Sequence, residues 1–147
     1  MTDGKKKSEW RDGYKKPTKR SRWFVPPELW NNAITFCRCY PLWVAEMSVC
    51  DTTRTITDYT RDKVQTSNIG SPTEQLAIRR AKLSEKIAIV ENAAAAVTDG
   101  EIMRKFIIIG VTHHLSYETL QKQGIPCGRR MYHELRREMI YRVSQEI

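Results

Sequence analysis

Five side chains able to grip a polyanion fall within nine residues near the end of the chain: Arg129, Arg130, His133, Arg136 and Arg137. A guanidinium presents a planar fork of donors that matches guanine edges bidentately and grips phosphate oxygens equally well. These five are expected on the helix face opposite an apolar line of Tyr132, Leu135, Met139 and Val143, spaced by three and four. The first residues of a groove-reading helix normally reach base edges, and the dipole at that end also attracts phosphate. Arg129, Arg130 and His133 are therefore expected at bases. Arg136 and Arg137 are expected at phosphates, joined by Lys122 and Arg142. Glu134 has the chemistry to accept from a cytosine amino group, but an intrahelical salt bridge is the simpler reading.

Other reactive groups are less coherent. Cys37, Cys39, Cys50 and Cys127 could join His113 and His114 around zinc. Against this, Cys37 and Cys39 are separated by one residue, and on a helix their side chains diverge by about 200°. Reduced, mostly buried thiols are expected instead. Asp58 and Asp62 are four apart, as a metal pair would be, but lie in a polar stretch that favours solvation. No phosphate-cradling glycine loop, His-Glu-x-x-His or serine elbow occurs. The expectation is a protein that is not an enzyme and uses no cofactor and no metal.

A charged face alone describes any solvated helix; the elements that would position it are what can set this one apart. Ser116 can cap a short helix over Tyr117–Gln123, with Leu115 and Leu120 as a hydrophobic staple. Gly124 stands where that helix must end, Ile125 can plug the core, and Pro126 prevents continuation. The arginine-bearing helix is expected over 128–143. Ser116, Gly124 and Pro126 thus form the turn of a helix-turn-helix, and that order separates the motif from an ordinary charged hairpin.

Upstream, Thr98-x-x-Glu101 reads as a capping box opening a helix with Ile102, Phe106 and Ile109 inward, and Gly110 weakens that reading. Ser71, Pro72 and Glu74 open a longer helix. Its seam of Leu76, Arg80, Leu83, Ile87, Val90, Ala94 and Val97 can serve a homodimer or pack within the monomer, the latter being favoured. Pro26 and Pro27 suit a helix start, with Leu29, Trp30, Ala33, Ile34 and Phe36 or Cys37 on one face. Pro41 is expected to end that helix. A second, short one over Leu42–Val49 would turn Trp43, Val44 and Met47 inward.

The stretch Ser71-Pro-Thr-Glu74, the helix after it, and Gly124-Ile-Pro-Cys-Gly-Arg-Arg-Met-Tyr132 resemble phage-encoded regulators of the RinA and ArpU type over roughly residues 26–147. Those regulators look like distant relatives of the DNA-reading fourth region of sigma factors. The resemblance implies activation of late phage or prophage genes in a bacterial host, and a cytoplasmic protein is expected because no apolar stretch follows the lysine-rich start as in a signal peptide. It further implies double-stranded DNA and bacterial RNA polymerase as partners, with no catalytic residue to carry over. It puts Glu118 and Leu120 on the supporting helix and Arg129, Arg130, Tyr132 and Arg136 on the recognition helix. The turn departs from the family pattern, because Pro126 and Gly128 stand where sigma-like modules place serine or threonine caps. That departure leaves the register of the recognition helix open by about one residue.

Composition agrees with a nucleic-acid partner. The 147 residues carry a formal net charge of +8, and 40% are hydrophobic, enough for a modest core. The longest apolar run, Phe106–Val111, is far short of the roughly 18 residues of a membrane span, so no membrane partner is expected. Residues 1–23 hold nine basic residues against three acidic ones, with Trp10, Tyr14 and Trp23 interleaved. They read as a disordered arm that either tracks phosphates or merely solubilises. The expected organisation is all-α, a helical bundle with a C-terminal helix-turn-helix. Its parts are the arm over 1–23, a helical segment over 24–50, a linker over 51–70, and the long helix with its DNA-binding module over 71–147. A small terminase-like DNA-packaging protein and a non-specific nucleic-acid-binding structural protein are the alternatives.

Overall fold

The computed structural model describes residues 18–57 and 71–147, the side chains of 53–57 excepted. Five helices account for the regular structure, with no strand among the described residues: α1 (Pro27–Thr57), α2 (Pro72–Val97), α3 (Glu101–Thr112), α4 (Tyr117–Lys122) and α5 (Arg129–Glu146). The all-α expectation holds. Residues 1–17 of the arm and the Asp58/Asp62 pair lie outside the described residues, whereas Thr18–Trp23 form turns closed by Ser21 N–H to Thr18 O at 2.7 Å.

The chain divides into two compact units, and the division cuts both long helices. The first contains residues up to Cys39 and from Ile89 onward, and the second Tyr40–Ala88. In the second unit the two helical segments run antiparallel and are tied by polar contacts. Arg79 Nε donates to Glu46 Oε1 at 2.6 Å, Arg80 pairs with Asp51 at 2.9 Å, and Lys86 sits over the Trp43 ring at 5.3 Å. Only Cys50 and Leu83 are fully buried there among the described side chains.

These contacts bear on two departures from expectation. Pro41 does not end the first helix, and residues 51–57, expected in the linker, are helical. Proline inside a helix removes the bond to the carbonyl four residues back and costs about 3 kcal/mol. The helix nevertheless continues past it to bury Cys50 and bring Glu46 and Asp51 to their arginines. Thr52 is accommodated by donating its hydroxyl to Ser48 O at 3.0 Å. Trp43 and Met47 are half-buried, while Val44 faces solvent.

The larger unit holds the main core. Trp30, Ala33, Ile34 and Cys37 of α1 are buried, as are Val90, Ala93 and Ala94 of α2, and Tyr132, Met139, Ile140 and Val143 of α5. The seam read along α2 is buried or half-buried at every position, and Ser71 caps the helix by accepting from Glu74 N–H at 3.2 Å.

Helix α3 corrects the sequence reading twice. Its N-cap is Gly100, not Thr98, whose buried hydroxyl instead donates to Ala94 O at 2.8 Å. The inward residues are Ile107, Gly110 and Val111, while Ile102 is 68% exposed and Ile109 also faces outward. The helix is thus turned by about 100° from the expected face. The run Phe106–Ile109 is apolar on every side, so periodicity cannot choose a face. Gly110 chooses it. A Cβ there would strike the Tyr132 hydroxyl and stand 3.0 Å from Leu120 Cδ1, so the missing side chain lets α3 close onto α4 and α5.

Candidate nucleic-acid interface

The turn that presents α5 is built from local chemistry. Ser116 Oγ accepts from Thr119 N–H at 3.3 Å, satisfying one orphan donor at the start of α4. At the other end Gly124 takes φ +91°. There Ile125 N–H donates to Leu120 O at 3.1 Å and Gly124 N–H to Gln121 O at 3.0 Å. This paired arrangement is the Schellman motif, and it drives Ile125 into the core beneath the turn. Pro126 follows, exposed, past the point where the helix stops. Tyr117 then ties the far side of the turn, donating its hydroxyl to Cys127 O at 2.7 Å, and its ring packs 5.8 Å from that of Tyr132.

Helix α5 begins at Arg129 with Gly128 as an extended N-cap that makes no side-chain cap bond. Arg129 and Arg130 therefore occupy the first turn. Helical side chains lean toward the N-terminus, so both reach beyond the helix end. Arg129, Arg130, His133, Glu134 and Arg137 line one shallow concavity of about 600 Å³. Arg129 and Arg130 are exposed, and His133 and Arg137 are half-buried. All three residues expected at bases are brought together, with one of the expected phosphate contacts beside them. Lys122 is exposed on the last turn of α4, and Arg142 is exposed farther along α5. Arg142 is held by Glu138, to which its Nε and Nη2 donate at 3.1 and 2.9 Å.

Arg136 overturns its assignment to phosphate. It is 3% exposed, on the side of α5 that carries Tyr132, Met139 and Val143. Residue 136 is four beyond Tyr132 and three before Met139, which is the spacing of the buried stripe itself. Burial pulls its pKa below the ordinary arginine value, with Tyr132 and Cys37 opposing and Arg38 adding to that shift. Burial likewise pushes the Cys37 thiol up to about 12, which makes it a poor nucleophile and a poor metal ligand. Among the described residues no three His, Cys, Asp or Glu side chains gather as a metal site.

Two contributors escaped the residue-by-residue reading. Glu118 of α4 reaches Arg129 Nη2 at 3.4 Å, linking the supporting helix to the first residue of α5. Trp23, counted in the arm, packs on Tyr141 of α5 with ring centroids 5.5 Å apart. The aromatic-basic alternation around Trp23 was the available signal, but nothing in it names Tyr141. No described helix is long and apolar enough to cross a membrane. No protein-family model, curated relative or solved structure matches the chain.

Proposed function

We propose that the protein is a sequence-specific DNA-binding regulator whose helix α5 enters the major groove of double-stranded DNA. Arg129, Arg130 and His133 read base edges, and Lys122, Arg137 and Arg142 hold phosphates. The observation that carries this reading is the concavity at the start of α5. Three arginines, a histidine and Glu134 line it, and the capped helix and glycine turn that precede α5 reach it through the Glu118–Arg129 pair. A merely solvated face needs no such backing. The resemblance to RinA- and ArpU-type regulators extends the proposal to late phage or prophage genes in a bacterial cell, with RNA polymerase as a further partner.

Selection of bound duplexes from a random pool, followed by footprinting of the enriched sequence, tests the reading. Each bidentate arginine–guanine contact is worth about 1–3 kcal/mol of discrimination, so Arg130→Ala should relax preference at one position by roughly 5- to 150-fold. Equal selectivity in the parent and in an Arg129→Ala/Arg130→Ala/His133→Ala variant would remove the recognition-helix assignment. One observation favours the packaging alternative. Leu42 and Val49, 68% and 63% exposed and two turns apart on α1, offer an apolar stripe to other copies. A closed ring by light scattering would support a terminase-like role, and a monomer or dimer the regulator.

A further inference from the structure

The solvent face of α5 does not end with the arginines. At 100° per residue Tyr141 stands about 20° from Arg130 around the helix, and about 16 Å farther along its axis. Arg130, Glu134, Arg137 and Tyr141 therefore form one continuous strip. Its far end is roofed by Trp23, whose ring lies 5.5 Å from that of Tyr141, and Arg22 stacks over Trp23 at 5.0 Å. Lys19, Arg20 and Arg22 are all exposed on this short segment, which is folded by the Ser21 and Phe24 turn bonds rather than trailing free. Six cations, Lys19, Arg20, Arg22, Arg130, Arg137 and Arg142, outnumber the three acidic groups nearby: Glu134 within the strip, Glu138, which Arg142 engages, and Glu146, which lines a groove together with Trp23 and Tyr141.

We infer that Lys19, Arg20 and Arg22, pinned to α5 through Trp23 and Tyr141, form a second phosphate-binding patch that grips the DNA backbone beyond the bases read by Arg129, Arg130 and His133. The inference rests on the DNA-binding reading above and adds an orientation to it. The major groove is about 8.5 Å deep, so on a helix entering end-on a group about 16 Å up the axis would stand clear of the phosphates. A contact about 16 Å along the same helical strip can reach the backbone only if α5 lies along the groove rather than entering end-on. The interleaved tryptophan is then an anchor that fixes three charges in place, instead of an aromatic that stacks on bases.

The test measures binding to a random-sequence duplex of about 40 base pairs across a salt series, because each neutralised phosphate contributes about 0.9 to the slope of log affinity against log salt. The variant Lys19→Ala/Arg20→Ala/Arg22→Ala should flatten the slope by about 2–3 and weaken binding at least tenfold in low salt, with unchanged preference among sequences. Trp23→Ala, which keeps every charge, should weaken binding in the same direction by releasing the segment from α5. A triple variant with the parent's slope overturns the patch. A triple variant that weakens while Trp23→Ala binds like the parent overturns the pin, and with it the orientation. Selectivity among sequences reads the α5 concavity separately, so the recognition assignment and the patch fail on different measurements. A parent that binds no duplex ends both.

Discussion

Replacing Gly110 by alanine asks whether α5 is set by the close approach of α3. On helix propensity alone the change should stabilise the chain by about 1 kcal/mol. The tertiary structure predicts the opposite sign. The new methyl would collide with the Tyr132 hydroxyl and lie 3.0 Å from Leu120 Cδ1 and 3.2 Å from Tyr132 Cε2, and both neighbours are buried. Overfilling a packed core costs about 1–3 kcal/mol, which cancels or exceeds the propensity gain of about 1 kcal/mol, so the net loss should be up to about 2 kcal/mol. In a domain of this size that lowers Tm by up to about 8 °C. Urea denaturation should show a lower midpoint with an unchanged slope. Tyr132→Phe removes the colliding oxygen and only a long bond to Leu115 O at 3.5 Å. The double variant should therefore recover part of the loss, with a coupling of about 0.5–1 kcal/mol. A stabilised Gly110→Ala protein, or a pair of substitutions that simply add, would refute the packing argument and the placement of α5 that depends on it.

Two further predictions concern α5's surroundings. His114 sits at φ 56° in the turn that ends α3, where Leu115 N–H closes onto Gly110 O at 3.1 Å, so His114→Gly should raise stability by up to about 1 kcal/mol at neutral pH. Burial first, and Arg136 second, hold the His114 pKa below 6.5. The folded chain therefore binds this proton less readily than the unfolded one. That leaves stability intact above about pH 6.5 and erodes it as the pH falls from there toward the depressed folded value. The gap between parent and His114→Gly midpoints should widen between neutral and mildly acid pH, and a gap that narrows would contradict the assigned environment. Arg136→Met should leave the salt dependence of DNA binding at the parent's slope, since a buried guanidinium neutralises no phosphate. A slope flattened by about 1 would return Arg136 to the interface.

The parts legible in the sequence are those whose physics is local. Ser116 and Ser71 cap because an oxygen two bonds from the backbone finds an orphan N–H three residues on, whatever the rest of the chain does. Gly124 ends α4 because only glycine takes φ +91° without strain, and Ile125 follows it inward by the geometry of the same motif. The order of short helix, turn and arginine-bearing helix, and three of the four residues expected on the inner line of α5, rest on such rules. Leu135 is the exception and is half-buried.

What only the tertiary structure decided are the choices local rules leave degenerate. An apolar run on all sides let α3 turn either face inward, and the contact at Gly110 selected one. Arginine spacing alone put Arg136 with its neighbours, yet position 136 lies on the Tyr132–Met139–Val143 stripe, and packing drew it out of solvent. Proline's local penalty argued for a break at Pro41, but burial of Cys50 and the ion pairs of Glu46 and Asp51 with α2 accompany a helix that runs on. The partnership of Trp23 with Tyr141 joins residues more than a hundred apart, where no periodicity can connect them. Sequence determined where the arginine helix begins and what holds its turn. Packing determined which of its arginines face outward, because burial is settled by the sum of distant contacts and not by the charge of the residue buried.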